Sequence, residues 1–254
     1  MNITHYPLLI FVLSFTTLWL SAWIGASLVR RRRRLQDDVR SDFALILTST
    51  LTLFGLIVGF SFSMAIGRYD QRKNYEESEA NAIGTEYVRS DLLPVTDAAK
   101  VRALLRDYLD QRVLSYTSAD DAKLRQVGVD TARLQAELWS AVQVPAAANP
   151  TPVVALAVSG MNDVLNSQGY TQAAYRNRIP TAAWLLMAAV AIGCNVMVGW
   201  GLQSRRDGIT LLSILPLVGA LAFTLIADID SPRHGIIHVA PQNLISLTQS
   251  LPAR

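Results

Sequence analysis

The apolar positions of this chain gather into four long runs. Residues 8–29 carry no charge and hold Trp19 and Trp23 toward one end. Residues 43–67 are relieved only by Thr, Ser and Gly. Residues 181–202 and 208–227 follow, with only 203–207 between them, so they form a tight helical hairpin. A helix needs about 20 apolar residues to cross a hydrocarbon core about 30 Å thick, and each run suffices. No basic residue precedes the first run, and arginines at 30–34 follow it. A cleaved leader has the opposite charge order, so the first run is read as a retained helix.

The polar stretch from 68 to 180 holds 13 Lys/Arg and 14 Asp/Glu. It is charge-balanced and faces water. Its apolar residues step by three and four, the spacing of a packed helix. Val101, Leu104, Leu105 and Tyr108 share one face, as do Leu124, Val127, Thr131, Leu134, Leu138 and Ala141. Val154, Ala157, Val158, Met161 and Leu165 repeat the pattern after an N-cap at Thr151 and a first-turn Pro152. Pro94, Gly128, the 145–150 stretch and Gly169 are read as breaks. The expected fold is an all-α integral membrane protein. Residues 1–67 hold membrane helices one and two, 68–180 a helical soluble insert, and 181–227 helices three and four. Residues 228–254 form a C-terminal segment whose short amphipathic helix packs on the insert.

Composition adds exclusions. The chain is 51% hydrophobic and 17% charged, which rules out intrinsic disorder. One Cys excludes an internal disulfide, and with three His it leaves no Cys/His zinc site. The net charge of +3 does not point to nucleic acid, because five of the 23 basic residues form one block beside a membrane run. Such a block is a topology signal that can also grip anionic lipid headgroups. There is no phosphate loop, nucleophile elbow, His-Glu-x-x-His or Cys-x-x-Cys, so neither an enzyme nor a cofactor is expected.

The second run is the most informative. At intervals of four, Gly55, Gly59, Ser63 and Gly67 make a stripe of small residues, beside a larger stripe of Thr52, Leu56, Phe60 and Met64. Small stripes let helix backbones approach closely in lipid. If the small stripe packs around a symmetry axis, the larger one forms an apolar constriction able to gate ions by dewetting. At the membrane boundary, Arg68 can clasp Asp228 and Asp230. Asn195 and Cys194 lie within the third run and Pro216 within the fourth. His234 and His238, four apart, lack an evident third metal ligand beyond Asp230, so no metal site is assigned. Of Glu76, Glu77, Glu79 and Glu86, one facing an axis would make a cation-favouring ring. The sequence does not say which.

The string from Gly59-Phe60 to Arg68-Tyr69 resembles the bestrophin pattern, in which a Gly-Phe pair in the second membrane helix precedes an Arg-aromatic pair. Asn81 and Arg89 sit where that pattern has Asn and Arg. Asp228-Ile229-Asp230-Ser231-Pro232-Arg233-His234-Gly235 resembles the bestrophin segment after the fourth membrane helix. The run Glu79-Ala80-Asn81-Ala82-Ile83-Gly84-Thr85, with Arg89, Asp91, Leu92, Leu93 and Pro94, is similar to the bacterial bestrophin-like family of unassigned function. The resemblance implies a homopentameric ion channel with its pore lined by the second helix and a neck at Thr52, Leu56 and Phe60. It implies a bacterial inner-membrane location, with lipid, small inorganic ions and further copies of the chain as partners. Tyr69-Asp70 replaces the usual tandem Trp, and no run of acids follows Asp230, so the calcium clasp of animal bestrophins has no counterpart. Loop charge places the insert outside the cytoplasm, whereas the resemblance places it inside. The rival reading is a membrane-anchored sensor or scaffold whose insert binds a partner protein without conduction. A motor stator would need an acidic residue within a pore-side span, and none is present.

Overall fold

The computed structural model describes residues 7–31, 37–201, 208–233 and 235–252. They form eight α-helices: α1 Pro7–Arg31, α2 Asp37–Arg89, α3 Val95–Thr117, α4 Asp121–Ala148, α5 Pro152–Arg176, α6 Thr181–Gly201, α7 Gly208–Asp230 and α8 Gln242–Ser250. A 3-10 turn, Ser90–Leu92, ends α2, and no strand occurs among the described residues. Four helical segments are long and apolar enough to cross a membrane. The protein is thus an all-helical membrane protein, with two spans before a helical insert and two after it.

The chain divides into two compact units, Met1–Arg68 with Arg178–His238 and Tyr69–Asn177 with Val239–Arg254. The expected C-terminal segment 228–254 is therefore divided at Val239. Asp228 holds the part before that point in the first unit, accepting hydrogen bonds from the Ile236 and Ile237 N–H groups at 2.7 and 2.9 Å.

In the first unit α1 lies against α6 and α7. The α1–α6 crossing is very close. A Cβ at Gly25 would fall on the carbonyl of Val196, and one at Gly199 on that of Ala22. Between helices in lipid there is no hydrophobic driving force, and such backbone proximity is what holds them. Ala22, Ala191 and Asn195 are buried with it, while the Cys194 thiol lies 3.6 Å from the Thr50 carbonyl on α2. The Asn195 amide donates to the Ala191 carbonyl of its own helix at 2.8 Å rather than to a neighbouring helix.

The second unit has its core at Ile83, Val101, Leu105, Tyr108, Leu138 and Met161. These are apolar positions of helical period, drawn from α2, α3, α4 and α5. Thr151 caps α5, accepting from the Val154 N–H at 3.2 Å, with Pro152 in the first turn. Leu93 is extended (φ −92°, ψ 162°), as the residue before a proline must be, and this turns the chain from α2 into α3.

Two expected breaks are not breaks. Gly128 and Gly169 lie inside α4 and α5, exposed and with open space where a Cβ would stand. Each costs its helix about 1 kcal/mol relative to Ala, less than the burial of the flanking apolar face returns. The break expected within 145–150 falls at its end: α4 runs through Pro145, which forgoes one backbone hydrogen bond, and stops at Ala148, four residues before α5 begins.

Candidate functional site

α2 runs for 53 residues as a single helix, about 80 Å at 1.5 Å per residue. Its membrane part buries one narrow face within the chain, at Phe54, Ser61 and Ala65. Phe54 meets Phe223 edge-to-face at 6.3 Å between ring centroids. The opposite side is bare. Thr52, Gly55, Gly59, Ser63 and Gly67 are all exposed, as are Leu56 at 53% and Phe60 at 65%. A Cβ at Gly55, Gly59 or Gly67 would meet nothing within 4 Å. Within one chain the small stripe therefore packs on nothing, and the close helix approach lies at Gly25 and Gly199 instead. The Thr52 hydroxyl donates to the Thr48 carbonyl at 2.9 Å, so its polar group is satisfied within its own helix.

At the end of the membrane run, Arg68 Nη1 lies 3.6 Å from Asp230 Oδ1. Both Asp230 oxygens also accept from the Ile179 N–H, at 3.2 and 3.1 Å. This one carboxylate ties the start of α6 to the ends of α7 and α2. Asp228 does not join the pair and instead holds the turn that follows α7. Gly235 is required there, because a Cβ would come within 2.6 Å of the Asp228 carbonyl oxygen. The pairing of His234 with His238 lies outside the described residues, as do residues 32–36 and 202–207. No group of three or more His, Cys, Asp or Glu able to hold a metal occurs among the described residues.

The continuing part of α2 sorts its four glutamates. Glu76 is buried and binds α8, accepting from the Leu244 N–H at 3.0 Å and from Asn243 Nδ2 at 2.6 Å. Glu79, fully buried, takes the Arg112 guanidinium, the Tyr116 hydroxyl at 3.2 Å and the Thr171 hydroxyl at 3.2 Å. Burial and the Glu79 charge both raise the pKa of Tyr116, as they do that of Tyr108, so both phenols stay neutral. Glu86 is fully buried, and neither carboxyl oxygen has a hydrogen-bond partner. Burial pushes its pKa up to about 8 against the pull of Arg89, and Asp163 adds to the rise. Glu77 alone is exposed.

Sequence reading did not find the Glu79 partners, the Asp230–Ile179 tie or the α1–α6 seam. Only the seam left a signal, in the four-residue spacings Ala22–Ala26 and Ala191–Asn195–Gly199.

A profile of the bestrophin-like domain matches residues 12–244. The chain belongs to the bestrophin-like family. The fold of this bestrophin-like chain is similar to that of a bacterial bestrophin homologue from Klebsiella pneumoniae, with 14% identity, 96% of this chain and 99% of that chain covered, and a TM-score of 0.66. A point variant of the Klebsiella pneumoniae homologue gives 13% identity, coverage of 94% and 99%, and a TM-score of 0.65. The crystal structure of a membrane-protein variant gives 13%, 95%, 99% and 0.67 in the same order. Identities this low establish a shared fold and do not transfer sites. No curated protein matches the chain.

Proposed function

We propose that this chain is one subunit of a homopentameric ion channel of the bacterial inner membrane. Small inorganic ions would pass down their gradients through a pore lined by α2. Thr52, Leu56 and Phe60 would form its mainly apolar neck, and Gly55, Gly59, Ser63 and Gly67 the contacts between neighbouring α2 helices. The reading fits the family, whose bestrophin members are ion channels, and assigns the chain no catalysis. The observation that carries it is the bare face of α2. Only 6% of its most apolar stretch is buried within the chain, against 44% for α7. A helix left this open, with three glycines facing empty space, suits contact with copies of itself around an axis. An apolar ring narrow enough to lose its water then blocks ions until it widens or wets.

The test is purified protein in a planar bilayer under a KCl gradient, comparing wild type with Phe60→Ala. Wild-type currents that grow or lose rectification in the variant support the neck. A protein of pentameric mass that stays silent in both forms would shift the reading to the sensor or scaffold, in which α2 only packs.

A further inference from the structure

We infer that the contact of α5 with the end of α2 over Gly160 is a proton-held latch, closed while Glu86 carries its proton and opened when that proton is lost. The latch lies wholly within the second unit and holds whether or not the chain conducts. Three ties join the two helices there, and their order shows that the helices run antiparallel. Tyr75 stacks on Tyr170 with ring centroids 5.9 Å apart. Glu79 accepts from the Thr171 hydroxyl at 3.2 Å, and its charge is matched by Arg112. At the far end, Gly160 brings the α5 backbone so close that a Cβ there would fall on Glu86 Oε2 and stand 2.7 Å from Arg89 Nη1. Ala157, Met161 and Val164 of the same α5 face are buried in the core with Ile83 and Tyr87 of α2.

The two buried glutamates on this face differ in what surrounds them. Glu79 has a cation and two hydroxyls. Glu86 is fully buried, and neither of its oxygens has a hydrogen-bond partner. Arg89, half-buried on the same helix, touches the same glycine but forms no ion pair with Glu86 among the described residues. Asp163, exposed on α5, acts on Glu86 with the opposite sign to Arg89. From α3, Arg102 and Arg106 face Tyr87 instead: both guanidinium groups lie over its ring, Arg102 pairs with Asp91, and Arg106 donates to the Tyr87 hydroxyl at 2.6 Å. A neutral carboxyl can stay under Gly160. A charged one needs a partner or water, and the closed contact offers neither. On ionising, Glu86 leaves that space for Arg89 and water, and α5 loses its packing on α2 at this point. The tie at Thr171 stays, so the opening is confined to the part of α5 before it. Such local openings lie below the free energy of global unfolding.

The test is amide hydrogen exchange, read by mass spectrometry on the full chain in detergent, for wild type, Glu86→Gln and Gly160→Ala from about pH 5.5 to about pH 9. Comparing wild type with Glu86→Gln at one pH cancels the intrinsic pH dependence of exchange. Over residues 154–164 the ratio of wild-type to Glu86→Gln exchange should rise by up to about tenfold per pH unit and level off above about pH 8. The rise should appear at exchange times at which residues 101–112 of α3, in the same core, still keep their hydrogens. Gly160→Ala, whose methyl must displace the carboxyl, should exchange 154–164 faster than wild type already at the acid end. Should Gly160→Ala not fold, wild type and Glu86→Gln decide the matter. A ratio over 154–164 that is flat with pH would overturn the latch. So would a rise seen only together with an equal rise over 101–112, which marks global unfolding rather than an opening at Gly160.

Discussion

Glu86 is a buried carboxyl without a hydrogen-bond partner, and its replacement by Gln has a pH signature that can be worked out in advance. The group titrates near 4.5 in an unfolded chain and near 8 in the folded one, chiefly because burial opposes the charged form. Between those values the folded chain keeps a proton that the unfolded chain has lost, so stability falls as pH rises. The contribution is fully present below about pH 4.5 and is gone above about pH 8. At about 1.36 kcal/mol per pH unit the ceiling is roughly 5 kcal/mol, and the interval from pH 5.5 to 7 accounts for about 2 kcal/mol. In a chain of this size that is roughly 4–8 °C in melting temperature. Glu86→Gln cannot ionise, so its lead over wild type should grow by that margin between pH 5.5 and pH 7. Tryptophan-fluorescence melting of the detergent-solubilised protein from pH 5 to 9 measures the difference. Arg89 and Asp163 stay in place in the variant, so their own titration cancels. Two parallel curves across the whole range would show that Glu86 is charged and compensated in the folded protein, and the reasoning would fail.

Two further perturbations test the packing on which the site depends. Gly199→Leu places a side chain on the Ala22 carbonyl, and the α1–α6 seam cannot close around it. Loss of the wild-type oligomer mass in detergent is expected, and unchanged mass and melting would refute the close approach. Glu76→Ala removes both acceptors that hold the start of α8, at a cost of about 1–3 kcal/mol for groups left unpaired. Limited proteolysis should then cut near residues 240–245 faster than in wild type, while equal rates would show that the apolar contact of Leu244 suffices.

How much could be read from the sequence depended on the kind of interaction. The membrane helices were legible because length and hydropathy are local properties. The insert helices were legible because Val101, Leu105 and Tyr108, or Val127, Thr131, Leu134 and Leu138, carry the period of a packed face. Gly128 and Gly169 misled, since a glycine's cost to a helix is small beside the tertiary burial that its spacing cannot reveal. The fate of the acids was invisible. Glu76, Glu77, Glu79 and Glu86 look alike in one dimension, yet one binds a helix start, one an arginine, one nothing, and one faces outward. That sorting needed the partners Asn243, Arg112, Tyr116 and Thr171, which lie far along the chain. The stripe at Thr52, Leu56 and Phe60 was visible as a pattern, and only the structure showed that nothing in the same chain covers it.

The unbroken length of α2 restricts how its gene can change. One codon inserted between Glu76 and Glu79 would turn Glu79, Ile83 and Glu86 by about 100° relative to Arg72 and Glu76. Either the first three or the last two would then leave the core that they share. Insertions or deletions in this stretch are therefore tolerable only in lengths close to whole turns, about seven, eleven or eighteen residues. Loops elsewhere in the chain can drift in length, whereas this stretch of helix behaves like a ruler.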